Sequence, residues 1–173
     1  MKKKQTRGIL IALAVVVVLT AGFFILKNSF TAKQNENGTS QAAQTGEPAA
    51  PATGDLVIQK STITSTATFI PYQAGDTKME VIAVKASDGT VRTAFNTCQV
   101  CYSSGRGYYK LESDTLVCQN CGNRFSADQV EQQKGGCNPV GITKEYKTED
   151  EKQITMSKDF FEEAKAIFAN WKK

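Results

Sequence analysis

The pattern of apolar and polar positions divides the chain into four segments. Residues 8–26, GILIALAVVVVLTAGFFIL, form an uncharged and mostly apolar run. A helix of about 20 such residues crosses the hydrocarbon core of a bilayer, so the run predicts a transmembrane anchor. Basic residues in segment 1–7 predict that this tip stays in the cytoplasm and that the rest lies outside. A cleaved secretory signal peptide is the alternative, because small residues occur at LTAG.

Residues 27–55 are polar and contain repeated Gln, Ala, Gly and Pro. Such a composition offers little apolar surface to bury, which predicts a disordered tether. The apolar pattern of a folded protein begins at Leu56. Residues 56–173 are therefore expected to form one small extracytoplasmic domain.

The first half of this domain is predicted to be β-rich. The stretches 61–72, STITSTATFIPY, and 78–86, KMEVIAVKA, are rich in β-branched residues. The stretch 91–95, VRTAF, alternates apolar and polar positions, and Asp88–Gly89 supplies a turn before it. This pattern predicts a hairpin whose second strand leads directly to Cys98.

Two helices are predicted in the second half, which makes the fold class α+β. Ser126 and Gln129 have the spacing of a capping box, which predicts a short helix ending at Gly135. In the C-terminal segment 157–173, an apolar stripe predicts an amphipathic helix. We expect this helix to pack on the domain's own sheet rather than on a partner. The stripe consists of Phe160, Ala164, Ile167 and Trp171.

The charge distribution argues against nucleic-acid binding. The net charge is +4, but residues 1–30 carry five Lys or Arg and no acid, whereas the remainder has 16 basic and 17 acidic residues. The folded part therefore has no basic surplus of the kind that phosphate backbones attract.

The sequence contains no histidine. This absence excludes Ser–His–Asp and Cys–His catalysis, Rieske centres and histidine-ligated haem. The sequence contains no P-loop and no dinucleotide fingerprint. It therefore favours a metal-binding or redox protein over an enzyme, with no catalytic residues.

Two C-x2-C pairs, Cys98/Cys101 and Cys118/Cys121, carry the strongest chemical signal. A two-residue spacer lets one tight turn aim both sulfurs at one ion, and two such turns complete a tetrahedron. This predicts a two-knuckle metal site. Disulfides and a thiol–disulfide exchange motif are the alternatives. Cysteine ligands suit Zn²⁺, a single iron or an iron–sulfur cluster.

The fifth cysteine, Cys137, lies in GGCNP. A zinc-ribbon-like structural module would use only the four paired cysteines and leave Cys137 over. The two glycines remove side chains and favour close approach of the backbone to a bound group. The alternative is a helix end followed by a buried free cysteine.

Several motifs together resemble a known family. VRTAFNTCQVCY, GYY, LVCQNCGNRF and GGCNP, between about Val81 and Ile142, are similar to the C-terminal domain of the FtrD-like membrane iron–sulfur proteins. The resemblance implies an iron–sulfur domain attached outside the cell membrane, with a role in electron transfer or iron transport and a membrane transport or redox partner. It makes all five cysteines candidate cluster ligands: Cys98, Cys101, Cys118, Cys121 and Cys137.

The sequence departs from the family's pattern in two places. Asn96 stands where an acidic residue is usual. A single predicted anchor replaces the larger multi-span portion of some members, which argues against a permease.

Overall fold

The structure is a computed structural model that describes the backbone of Ser40–Gln41 and residues 50–173. The predicted tip, the predicted anchor and most of the predicted tether lie outside the described residues. Among the residues that are described, no helix is both long and apolar enough to span a bilayer.

Short strands account for most of the regular secondary structure in the described residues. They are β1 (Ser40–Gln41), β2 (Leu56–Gln59), β3 (Thr68–Ala74), β4 (Thr77–Lys85), β5 (Val91–Cys98), β6 (Tyr109–Glu112), β7 (Thr115–Cys118), β8 (Arg124–Phe125), β9 (Pro139–Gly141), β10 (Thr148–Glu149) and β11 (Gln153–Met156). The α-helix α1 covers Lys158–Ala164. Single 3₁₀ turns cover Lys60–Thr62, Tyr102–Ser104, Ala127–Gln129 and Lys165–Phe168.

These strands form three sheets. One has the order β1-β2-β11-β10, the second is the antiparallel sheet β3-β4-β5-β9, and the third is the small antiparallel sheet β6-β7-β8. The predicted hairpin is confirmed, because β4 and β5 pair across the turn that contains Asp88 and Gly89. Gly89 takes a φ of 82°, which a residue without a Cβ adopts freely.

The hairpin β4–β5 is buried on both faces. Val81, Ala83 and Phe95 belong to the larger hydrophobic core, which also includes residues of β2, β11 and α1. Ile82 and Ala94 point to a second core that contains Cys98, Cys118 and Tyr109. Burial on both faces explains the continuous apolar run VIAV in β4. It also places the small sheet, with its cysteines, against the outer face of the hairpin.

The C-terminal helix packs on the domain's own core, as predicted, but its most buried face differs from the predicted stripe. Phe161 is fully buried, and its ring stacks on Tyr72 at 3.6 Å between centroids. The predicted stripe residues only pack at the edge of that core. The α-helix also ends at Ala164, and a tighter 3₁₀ turn follows. Phe168, seven residues after Phe161, is also buried and meets Phe95 edge-to-face.

The helix predicted after the second cysteine pair is a single 3₁₀ turn, Ala127–Gln129. The capping box is present, and the Gln129 amide oxygen accepts a hydrogen bond from the Ser126 backbone N–H at 2.8 Å. The turn does not extend to Gly135, because Val130 is already extended and Glu131 takes a φ of 66°. The chain leaves the turn at Val130, which is buried in the second core.

The burial of the helix faces gives a test of the fold. Phe161→Ala should lower the free energy of unfolding by about 3–5 kcal/mol, because it removes a fully buried ring. The control Phe160→Ala should cost about half as much or less, because that ring is only partly buried. Urea denaturation followed by circular dichroism measures both. A larger loss for Phe160→Ala would show that the predicted stripe, rather than Phe161, faces the core.

Candidate metal centre

The cysteines lie at the ends of strands from two sheets. Cys98 is the last residue of β5, and Cys101 follows in the turn after it. Cys118 is the last residue of β7, and Cys121 lies in the turn that leads to β8. Cys137 lies just before β9 begins at Pro139. All five are free thiols.

Backbone hydrogen bonds join the segments that carry them. The Cys98 N–H donates to the Gly107 carbonyl at 2.7 Å, and the Gln99 N–H donates to the Asn138 carbonyl at 2.9 Å. The Gln119 N–H donates to the Tyr108 carbonyl at 2.8 Å. A register shift between Phe95 and Cys98 in the β5–β9 pairing turns the end of β5 toward the small sheet. The two knuckles and the GGCNP segment therefore meet at one place.

Gly107 is required by a close backbone approach at this place. A Cβ on residue 107 would lie 2.2 Å from the carbonyl oxygen of Cys101. The loop between the knuckles, which contains Gly105–Gly107, therefore passes directly over Cys101. The requirement cannot be read from the sequence, because nothing in GRG says what the loop crosses.

The sulfurs of Cys98, Cys101, Cys118 and Cys137 all lie within 4.8 Å of one another. The Cys137 Sγ is 3.1 Å from that of Cys98, 3.3 Å from that of Cys101 and 3.9 Å from that of Cys118. Cys121 is exposed and is not one of these four, although its thiol hydrogen-bonds with the thiols of Cys137, Cys118 and Cys101. The structure thus groups Cys137 with three of the four paired cysteines, and Cys121 lies at the exposed edge of this group.

The Cys98 thiol is the preferred seat of negative charge within this group. Burial opposes its ionisation, but hydrogen bonds from the Cys101 N–H, the Cys137 thiol and the Val100 N–H outweigh burial, so the pKa of Cys98 is lowered. The Cys101 N–H lies 3.3 Å from the Cys98 sulfur. Backbone donors of this kind also stabilise a metal-bound thiolate.

The other cysteines divide into two kinds. Burial raises the pKa of Cys118 to about 11, and it also raises the pKa values of Cys101 and Cys137. At Cys121 the small burial again opposes ionisation, but hydrogen bonds from the Cys137 thiol and the Asn123 N–H lower the pKa. The cluster therefore retains protons that a cation must displace when thiolates bind it.

Tyr109 forms the inner wall of the site. It is fully buried, its ring meets Phe125 edge-to-face at 5.8 Å, and its hydroxyl donates to the Cys137 carbonyl at 2.8 Å. Of the aromatic residues near the cysteine motifs, Tyr109 and Phe125 exclude water from the cluster. Tyr102 is 41% exposed and lies on the outside.

Asn96 links the site to the rest of the domain. It is fully buried, and its side chain accepts a hydrogen bond from the Tyr109 N–H at 2.7 Å and donates to the Tyr109 carbonyl at 3.2 Å. Its amide also donates to the Glu80 carboxylate at 2.5 Å. An amide satisfies both backbone groups of Tyr109, which a carboxylate has no donor to do. The sequence marked this position only as a departure from the family's pattern.

The segment before Cys137 is anchored by a buried ion pair. The Lys147 ammonium lies 2.7 Å from the Glu131 carboxylate and donates to the Thr93 hydroxyl at 3.0 Å. The Thr93 N–H donates to the same carboxylate at 3.1 Å. Gly141 makes room, because a Cβ there would lie 3.0 Å from the Glu131 Cα. These contacts attach the segment that contains Glu131 to β5 and thereby restrict the position of Cys137.

The donor set fits a thiophilic metal centre. Four sulfurs at about 2.3 Å from a tetrahedral ion lie roughly 3.8 Å apart, close to the separations found here. The donors are all sulfur, three of the four residues are buried, and backbone N–H groups point at them. Soft, buried thiolates of this kind hold Zn²⁺, iron or an iron–sulfur cluster rather than Mg²⁺ or Ca²⁺.

The comparisons with known proteins agree with this chemistry. A family model described as "Membrane iron-sulfur containing protein FtrD-like" matches residues 62–168. The match contains all five cysteines and covers more than half of the chain. No curated protein and no solved structure matches.

The close approach of Gly107 to the Cys101 backbone predicts the effect of adding a methyl side chain at residue 107. Gly107→Ala should destabilise the domain by about 3 kcal/mol or more and prevent metal binding, because the Cys101 backbone must move. Gly122→Ala is the control: its Cβ meets open space, so only its φ of 76° should cost roughly 1–2 kcal/mol. Urea denaturation and metal titration compare the two variants. Equal costs would contradict the packing of this loop on Cys101.

Exposure and pKa together predict which thiol reacts first. In the reduced, metal-free protein at pH 7, iodoacetamide should alkylate Cys121 about tenfold faster than Cys118, or more, because Cys121 is exposed and its lowered pKa gives more thiolate. Cys118 is buried and keeps its proton. Peptide mass spectrometry at timed intervals measures both rates. If the two cysteines react together, Cys121 does not lie outside the buried group.

Proposed function

The chain belongs to the FtrD-like family of membrane iron–sulfur proteins, and on that premise we propose that its domain is a one-electron carrier built around an iron–sulfur centre. The observation that carries the proposal is the convergence of four cysteine sulfurs within 4.8 Å in a family described as iron–sulfur containing. When bound, iron held by thiolates supplies the capacity to gain and lose one electron.

We assign the ligand set to Cys98, Cys101, Cys118 and Cys137. These four thiols face one another from three loops, so each can direct a lone pair at the same point. Cys121 lies on the exposed rim of the same site. In this assignment, the first knuckle supplies two ligands, the second knuckle supplies one, and GGCNP supplies the fourth.

The chain's own residues would set the reduction potential. The Cys101 and Val100 N–H groups donate to the Cys98 sulfur, and N–H donors near thiolates stabilise the more negative, reduced state. Burial by Tyr109 and Phe125 acts in the opposite direction, because a low dielectric disfavours added charge. The potential is the balance of these two effects.

The place of this carrier follows from the sequence. With the anchor at 8–26 and a tether between it and β1, the domain would stand outside the cell membrane and reach a membrane partner. A partner in iron transport, which exchanges single electrons as iron changes between its ferrous and ferric states, fits the family resemblance. The tether would let the domain move between the partner and its own electron source.

A structural zinc module is the second candidate, and one specific observation favours it. The sulfur–sulfur distances of 3.1–3.9 Å between Cys137 and its neighbours suit one tetrahedral ion. A cluster of several irons separates its terminal thiolates further, so the loops would have to open to hold one. A zinc site would stabilise the fold and carry no electrons.

Anaerobic purification of the full chain in detergent separates the two functions. We expect iron and inorganic sulfide in the purified protein, with visible absorption that bleaches on dithionite reduction. Stoichiometric zinc with no iron and no visible absorption would overturn the redox proposal. Elemental analysis and visible spectroscopy on one sample provide all of these readouts.

Two matched serine variants test the ligand assignment in the same preparation. Cys137→Ser should lose most of the metal, because it removes one of four converging sulfurs. Cys121→Ser should lose much less metal than Cys137→Ser, because Cys121 is exposed and is not one of the four sulfurs that all lie within 4.8 Å of one another. The reverse result would show that the two C-x2-C pairs form the site and that Cys137 is a bystander.

A further inference from the structure

The loops that carry the cysteines form a continuous surface with an unusual composition. We define the three cysteine loops as residues 99–105, 119–123 and 135–138. They are adjacent, because the Gln99 amide oxygen accepts from the Gly135 N–H at 3.0 Å and the Arg106 guanidinium donates to the Gln119 carbonyl at 3.0 Å. None of their residues is charged, although charged residues make up 22% of the chain.

Large apolar side chains are exposed on this surface. Val100 is 61% exposed and Tyr102 is 41% exposed, and they flank Cys101, which is buried. Within the described residues, the only other exposed large hydrophobic side chain is Tyr146. Exposed apolar side chains beside a functional site are typical of a surface that binds a partner.

A cation adjoins each loop in the sequence. Arg106 follows the first loop, Arg124 follows the second and Lys134 precedes the third, and all three are exposed. Arg124 pairs with Glu112 at 2.8 Å, but both side chains are more than half exposed, so water and salt weaken that pair. Residues 31–173 carry 16 basic and 17 acidic residues in all, so this positive border is local.

We propose that the three cysteine loops are the docking surface for a small one-electron carrier protein whose redox edge is bordered by acidic side chains. This rests on the proposed function, since it names the partner's chemistry at the same site. One electron would cross between the two centres, the donor being oxidised and the acceptor reduced, with no bond formed or broken.

The physical requirements of brief redox encounters agree with this surface. Such complexes bury less than about 1,200 Å² and rely on charge steering for fast association. An uncharged contact region avoids burying unpaired charges between the two centres. The cations at its border would then orient an acidic partner as it approaches.

The surface suits a protein better than a lipid headgroup layer. Its loops present exposed uncharged polar side chains, including Asn120 and Asn123, with few large apolar side chains. Membrane-surface segments combine a broad apolar face with many Lys and Arg residues. Contact with the membrane is therefore the competing outcome in the tests below.

The first test needs no iron. The ¹⁵N-labelled full chain, loaded with zinc in neutral detergent micelles, is titrated with hexacyanochromate(III), a redox-inert paramagnetic trianion. Amide signals of the three cysteine loops should broaden first. The broadening should be lost in Arg106→Gln/Arg124→Gln/Lys134→Gln and kept in the control Lys78→Gln/Lys85→Gln/Lys152→Gln, which removes the same charge from exposed lysines elsewhere. Broadening centred elsewhere, or lost equally in both variants, would overturn the proposal.

The second test measures electron transfer from the reduced protein. Its oxidation by ferricyanide should slow as salt is added and should slow about threefold or more in the first triple variant. Oxidation by cationic tris(phenanthroline)cobalt(III) should not slow in that variant. Equal responses to both oxidants would overturn the proposal. If neither oxidant reacts while the hexacyanochromate pattern persists, the redox function fails and the anion-binding surface stands.

Two further experiments address metal loss in the variant and contact of the loops with the membrane. If Arg106→Gln loses the metal, because Arg106 bridges the knuckles, the double variant Arg124→Gln/Lys134→Gln replaces the triple variant. In nanodiscs that contain phosphatidylglycerol and a paramagnetic headgroup label, the cysteine loops should stay unbroadened. Broadening there would show that this surface faces the membrane and would overturn the partner proposal.

Discussion

Four thiol sulfurs held within 4.8 Å of one another cannot all ionise unless a cation lies among them, and much of the structure depends on that constraint. The cysteines come from three chain segments in different parts of the fold, and these segments converge at the sulfur cluster. The small sheet β6-β7-β8 joins the larger one through these segments and through Asn96, which binds both backbone groups of Tyr109. A cation at the sulfurs would therefore stabilise the position of a whole sheet as well as a loop.

The same arrangement explains how a small domain can place a metal centre close to its surface and still exclude water. Tyr109 and Phe125 close the site from within, and the hairpin β4–β5 supports them from behind. On the outside, the chain covers the sulfurs with short turns whose side chains are small or uncharged. Backbone N–H groups in those turns point at the Cys98 sulfur, so the turns that shield the site also stabilise negative charge on that sulfur.

The sequence predicted those features that depend on local chemistry. The hairpin at Asp88–Gly89, the two C-x2-C turns and the capping box at Ser126 all follow from residues close to one another in the chain. The features it missed depend on contacts between distant segments. Cys137 was already a candidate ligand from the family resemblance, but the ion pair of Glu131 and Lys147, which anchors the segment before it, was not predicted. The C-terminal helix buries Phe161 and Phe168 instead of the predicted stripe, because these rings pack on Tyr72 and Phe95 from distant strands. Gly107 matters only because its loop crosses Cys101.

The central claim is that the cysteines bind a metal centre instead of forming disulfides with one another. Native mass spectrometry of the full chain, purified anaerobically and released from detergent micelles, tests this in a single measurement. We predict a mass above that of the polypeptide by the mass of bound iron and sulfide, and a return to the fully reduced polypeptide mass after acid removes the metal. A metal-free chain that is lighter than the reduced polypeptide by two hydrogens for each disulfide would contradict the account.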